Sequence, residues 1–346
     1  MIRAVVLSGS GWLFPWHVGV VSALAKEGLL KKEIISYRKD ITGNSTATAN
    51  TRFYGTSGGS VVASGFVFGL SGEEIMELGI EVARMTRQHG LLGNLDRLIK
   101  EIVKKKVASR QVGVNPRNFK DLFICVTSLT SKNNKPEEPS SWFGNLACYN
   151  RKPLFIYNNL SKSIFFRISQ LFKRPDLLND FKSEEDVLDA CICSSFIPYY
   201  TGKKLYKEYK GSMYVDGGLF YSIIPPFEEK EIEFLKTSNS NFSLFQVESF
   251  NESHVALPNN FTCPSKDIII SCPLPLLARK AAKRAQLCKE LDIHIITPPR
   301  CFSLFQLLRY TLVPGPETFL RNLEIAGKNA ARLWMLNKEN SSNSYL

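Results

Sequence analysis

Short apolar runs alternate along this chain with longer segments of helical period. RAVVLS, residues 3–8, is an apolar run closed by Gly9 and predicts a buried strand. PWHVGVVSALAKEGLL follows, with Pro15 in its first turn and Gly28 at its end, the punctuation of a helix. YRKDITGNSTATANT is polar without period and reads as a loop, after which RFYGT predicts a second strand. SVVASGFVFG predicts a helix buried all round, and SGEEIMELGIEVARM a further one with Ser71 as N-cap and acids in the first turn.

DLFICVTSLT reads as a strand, with SKNNKPEEPSS turning the chain towards a partner around WFGNLACYN. SEEDVLDACICSSF carries a helix start at Ser183, and GSMYVDGGLF is a strand ending on a glycine turn. KDIIIS and LDIHIIT are later strands separated by the helix LLARKAAKRAQLCKEL, and ETFLRNLEIAGKNAARLWML is a closing helix. This alternation predicts a three-layer α/β/α sandwich with a mainly parallel sheet. No repeat or linker divides the chain, so the expectation is one domain over residues 1–336 and a frayed tail over 337–346.

Composition narrows the picture. Hydrophobic residues make up 44% of the 346, enough for a buried core, and 44 Lys and Arg against 32 Asp and Glu give a net charge of +12. Such an excess favours anionic partners, a phospholipid surface or nucleic acid. The basic residues are spread over several segments and no nucleic-acid module is visible, which argues against the second. The apolar residues of the N-terminus stop at Leu7, too early for a signal-peptide core, and no run is long enough to span a bilayer. The eight cysteines form no C-x-x-C pair, so neither zinc nor another metal is expected, and reduced thiols in the cytoplasm are the default. Sequons at Asn251 and Asn260 then carry no meaning.

The chemistry lies in the glycines. Gly55-Thr56-Ser57-Gly58-Gly59 has the form G-x-S-x-G between a strand and a helix, the setting of a nucleophile elbow. Small neighbours let the backbone bend sharply, and Ser57 Oγ is presented near a helix N-terminus that favours negative charge. A second cluster, Gly9-Ser10-Gly11-Trp12, follows the first strand, where backbone N–H groups can face an oxyanion. Its competing reading, a dinucleotide fingerprint, fails where the third glycine is replaced by Phe14, so no cofactor is expected. Asp216, at the end of MYVD and before two glycines, is placed as a partly desolvated base, although an ordinary Asp-Gly turn has the same sequence. A Ser-Asp-His triad is the alternative, with His254 or His294 in the right chain order. His254 lies in a polar stretch, His294 within a strand, and only one strand precedes that of Ser57, unlike an α/β-hydrolase.

Together these pieces resemble the patatin-like phospholipase family. The glycine-rich first loop, G-x-S-x-G at 55–59 and D-G-G at 216–218 occur in that family's order over roughly residues 1–225. GSGWLFPWHVGVVSAL and ACICSSFIPYYTG are similar to the branch containing adipose triglyceride lipase. The resemblance implies a Ser-Asp dyad, with Ser57 as nucleophile, Asp216 as base, and Gly9, Ser10, Gly11 and the Gly58 amide as oxyanion donors. It also implies hydrolysis of glycerolipid acyl esters at a membrane or lipid-droplet surface, with or without a protein activator. Phe14 departs from the family's loop, which normally ends in glycine. It leaves open a lipid-surface binding protein of weak or no activity on the same fold. Arg279, Lys280, Lys283 and Arg284 share one helical face, a basic stripe suited to anionic membrane or simply to solvent.

Overall fold

β-branched and aliphatic runs too short for helices become the centre of one sheet. The computed structural model describes residues 2, 4–30, 51–108, 116–129, 174–220, 243–246, 268–275, 278, 293–299 and 302–343. Strands β1 (Ala4–Leu7), β2 (Arg52–Thr56), β3 (Leu122–Ser128), β8 (Ile268–Ser271) and β9 (Ile293–Thr297) are buried along almost their whole length. They pair in parallel in the order β3-β2-β1-β8-β9, with β7 (Ser243–Gln246) parallel to β9 at the edge. Burial on both faces explains why these strands read as continuous apolar runs rather than alternating ones.

Three further strands, β4 (Arg174–Leu178), β5 (Lys207–Tyr209) and β6 (Ser212–Asp216), join antiparallel around β3. The register decides where β6 goes. β4 pairs with residues 124–128 of β3, and β2 pairs with 122–125, so these two hold opposite edges. β6 pairs with 126–128, where one edge is already taken by β4, so it must occupy the edge that β2 leaves at Thr56. The end of β6 is thereby set beside the end of β2. β5 feeds β6 through the two-residue turn Lys210-Gly211, both with positive φ (46° and 75°), which suits a tight hairpin.

Helices cover the sheet: α1 (Phe14–Lys26), α2 (Gly58–Val67), α3 (Gly72–His89), α4 (Leu95–Ala108), α5 (Glu184–Ser194), α6 (Gly217–Phe220), α7 (Leu304–Leu312) and α8 (Glu317–Asn343). Among the described residues, the mixed, mostly parallel sheet flanked by helices is the predicted α/β/α sandwich. α1 is apolar nearly all round because it packs against α2, α3, β8 and α8 at once. Its contact with α8 is backbone to backbone. A Cβ on Gly19 would lie 2.0 Å from Glu324 O, and one on Gly327 would lie 2.4 Å from Trp16 O. Arg321 of α8 is tied to Glu73 and Glu77 of α3, closing the layer.

Ser71 caps α3 in a full capping box, its side chain accepting from Glu74 N–H while Glu74 accepts from Ser71 N–H. Ser183 likewise caps α5 through Asp186 N–H. The hydrophobic pattern does not predict α4, β4, β5, β7 or α7. α8 runs to Asn343, and the expected tail overlaps its last residues. The strand expected around WFGNLACYN and the helix carrying Arg279, Lys280, Lys283 and Arg284 lie outside the described residues.

Candidate active site

β2 runs straight into α2, and the reversal falls on Ser57, whose φ of 52° and ψ of −127° are unusual for a residue with a side chain. Backbone strain of this kind costs about 1–3 kcal/mol and persists only when the surroundings enforce it. The enforcement is visible. Ser57 N–H donates to Ser194 Oγ at 2.8 Å, and Ser194 Oγ donates in turn to Cys125 O at 2.6 Å. Ser57 O accepts from Ser60 N–H and from Ser60 Oγ, at 2.9 and 2.6 Å. The turn also needs room: a Cβ on Gly59 would lie 2.3 Å from Leu7 O. No motif marks Ser194, which lies in ACICSSF on α5. Only the contact between α5, α2 and β3 brings it under the elbow.

The loop after β1 is the second component. Gly11 takes a φ of +50°, and a 3-10 turn, Gly11–Leu13, leads into α1. Ser8 N–H donates to Ser271 O of β8 at 3.1 Å. His17, fully buried in α1, holds the same loop from below, with Nε2 2.9 Å from Ser8 O and Nδ1 2.8 Å from Ser271 Oγ. A carbonyl can only accept, so Nε2 carries the proton and Nδ1 accepts from the Ser271 hydroxyl. Burial pulls the imidazole's pKa down to about 3 against the raising effect of the bond to Ser8, so His17 is neutral.

Asp216 closes the triangle. Its backbone is pinned by Asp216 N–H to Phe196 O (2.8 Å) and by Thr127 Oγ1 donating to Asp216 O (3.0 Å). Oδ1 accepts from Gly218 N–H at 2.6 Å. Asp216-Gly217 is therefore a strand end entering α6, not the simple Asp-Gly turn that the sequence also allowed. The three motifs meet at Gly9, where a Cβ would lie 3.6 Å from Gly218 Cα and 3.9 Å from Ser57 Cβ. A Cβ on Gly58 would lie 2.5 Å from Gly11 O, so elbow and loop touch.

Gly9, Ser10, Gly11, Ser57, Gly58 and Asp216 all line one cavity of about 300 Å³. The rest of its wall is largely apolar, with Phe14, Val61, Phe68, Ile75, Leu188 and Ile197 prominent. Ser57 and Asp216 are only 7% and 3% exposed, so they face the cavity rather than bulk water. As first residue of α2, Gly58 has an N–H that no intrahelical carbonyl satisfies. Ser10 Oγ is buried without a hydrogen-bond partner among the described residues. Its hydroxyl is a further donor beside the loop amides, and the glycine pattern alone does not reveal it.

No histidine lines this cavity among the described residues. His294 lies in β9, separated from β2 by β1 and β8, and packs on Trp334 with ring centroids 5.3 Å apart. It is a structural residue at the junction with α8, and His254 lies outside the described residues. The described cysteines are buried thiols: burial raises Cys125 to about 12 and Cys191, in the cavity wall, to about 11. Among the described residues no cluster of His, Cys, Asp and Glu is arranged to hold a metal ion.

An elbow serine and a strand-end aspartate sharing an apolar cavity with a glycine loop define a class. Residues 5–226 match the family model of the patatin-like phospholipases, and the chain belongs to that family, one of lipid acyl hydrolases. Two human proteins are similar to a short part of it. Over 43 residues it is 46% identical to "1-acylglycerol-3-phosphate O-acyltransferase PNPLA3", 12% of this chain and 9% of that protein. Over 43 residues it is 51% identical to "Patatin-like phospholipase domain-containing protein 4", 12% of this chain and 17% of that protein. The matched stretches thus span less than a fifth of either relative's length.

Proposed function

We propose that this protein hydrolyses carboxylic esters of glycerolipids with a Ser57–Asp216 dyad. The observation that carries the reading is the convergence at Gly9 of the strained serine elbow, the aspartate and the glycine loop, inside an apolar cavity with no histidine in its described wall. Ser57 Oγ attacks the ester carbonyl carbon while Asp216 takes its proton. The oxyanion of the tetrahedral intermediate is held by N–H groups of Gly9, Ser10, Gly11 and Gly58, with the Ser10 hydroxyl as a further donor. Collapse breaks the bond to the alcohol, which leaves with the proton from Asp216. Water, deprotonated by Asp216, then attacks the acyl-serine and releases the fatty acid and Ser57. The apolar wall suits an acyl chain, and no step needs a metal or cofactor.

The test is a panel of triacylglycerol, phospholipid and lysophospholipid assayed with wild type and Ser57→Ala. Wild type should release fatty acid from at least one of them, and the variant should be inactive. A fluorophosphonate probe should label Ser57. Failure to label identifies the rival, a lipid-binding protein without turnover. One similar protein is named as an acyltransferase, and the same acyl-serine can pass its acyl group to an alcohol instead of water. Supplying a lysophospholipid acceptor separates the two, because transfer yields a diacyl product and hydrolysis yields free acid.

A further inference from the structure

α7 exposes an apolar stripe at the rim of the cavity. Leu304, Phe305, Leu308 and Leu312 are 42%, 75%, 48% and 49% exposed. At 100° per residue these four positions fall within one arc of about 100°, a continuous face rather than scattered residues. The adjoining face is anchored. Leu307 is 1% exposed, and Thr311 O stands 2.0 Å from where a Cβ on Gly11 would lie. Thr311 and Leu312 also line the cavity, so the stripe is continuous with the apolar wall that leads to Ser57. Val313, just beyond the helix, adds to it at 49% exposed. Among the described residues nothing packs over this face.

Charge says what covers it. Arg309 is exposed on the same helix beside the stripe. A second exposed group lies on a segment that also enters the cavity wall. Tyr199, 61% exposed with a φ of 60°, precedes the wall residues Tyr200 and Thr201, and its N–H donates to the carbonyl of the exposed Lys204. Leu92, 71% exposed, adjoins it through Gly93 N–H to Tyr200 O. Large apolar side chains flanked by cations, on a chain of net charge +12, match a surface with an apolar interior and anionic headgroups.

We infer that α7 seats the protein on an anionic phospholipid surface, with Leu304, Phe305 and Leu308 inserted among the acyl chains and Leu312 leading them into the cavity. This rests on the lipid-ester reading of the cavity for its purpose, but its test reads binding rather than turnover. The full chain is sedimented with vesicles of phosphatidylcholine alone and of phosphatidylcholine with phosphatidylserine. The double variant Phe305→Ser, Leu308→Ser should bind the mixed vesicles at least about tenfold more weakly, because two large apolar side chains no longer leave water. Arg309→Gln should weaken binding about fivefold to the mixed vesicles and little to phosphatidylcholine alone. Cleavage of a monomeric short-chain ester should be unchanged in both. Vesicle binding by the double variant equal to wild type would overturn the inference. So would a wild-type dimer that the double variant converts to monomer with vesicle binding intact, since the stripe would then be a protein interface. Absence of all esterase activity in a wild type that still needs the stripe to bind vesicles would overturn the hydrolase reading alone.

Discussion

The ring of Phe14 lies directly over Gly79 of α3, so that a Cβ on Gly79 would stand 2.0 Å from Phe14 Cζ. Phe14 takes the place of the glycine that normally ends the family's first loop, and the missing space is found across the interface instead. The ring is 8% exposed and forms part of the cavity wall.

This pairing gives a sign reversal. Gly79→Ala alone should destabilise the protein, because the new methyl meets an aromatic ring held in the core. In the Phe14→Ala background the same change should stabilise it by about 1 kcal/mol, the ordinary preference of a helix for Ala over Gly. Denaturant unfolding of the four proteins measures the coupling. Phe14→Ala should also raise kcat/KM for long or branched acyl esters more than for short ones. An equal rise across chain lengths would place the ring off the acyl path.

Asp216→Asn keeps the shape that accepts Gly218 N–H and removes the base. Turnover should fall about a thousandfold or more with thermal unfolding little changed, at the upper range of proton-transfer catalysis. His294→Ala should retain most activity and lose stability, because its ring packs on Trp334. Equal loss of activity in Asp216→Asn and His294→Ala would restore a triad.

Ser194→Ala leaves two buried partners, Ser57 N–H and Cys125 O, without their bonds. A loss of about 2–6 kcal/mol in stability is expected, at about 1–3 kcal/mol for each of the two buried groups left unsatisfied. With the elbow released, kcat should fall more than KM changes. Steady-state kinetics on a soluble ester beside urea unfolding check both. Unchanged kcat would show that the elbow holds its geometry without this bond.

His17 ties stability to pH. Its folded-state pKa, about 3, lies below the ordinary value of 6.5, so between these values the unfolded chain binds the extra proton. Stability is therefore full above about pH 6.5 and falls as pH drops towards 3, at a slope of about 1.4 kcal/mol per pH unit from this group. His17→Gln should flatten that part of the profile. Unfolding free energies measured from pH 7 down to about pH 4 decide it, an identical slope in the variant assigning the loss to other groups.

Much of the site was legible in the chain itself. Gly9 to Gly11, Gly55 to Gly59 and Asp216 to Gly218 carry their meaning locally, because sharp turns and close backbone approach demand glycine whatever surrounds them. The parallel strands β1, β2, β3, β8 and β9 were legible for a related reason: short apolar runs bounded by turn residues have few other solutions. Three features needed the tertiary structure. The pairing of β6 with the free end of β3 sets Asp216 near Ser57 across more than 150 residues of chain, and no local pattern records a register. The local pattern around Ser194 and His17 shows only a helix, and they brace the candidate site only because α5 and α1 pack where they do. The stripe on α7 is an apolar run like those of the core. Burial on one face and exposure on the other separate the two, and that depends on what packs against the helix, a property of the whole fold.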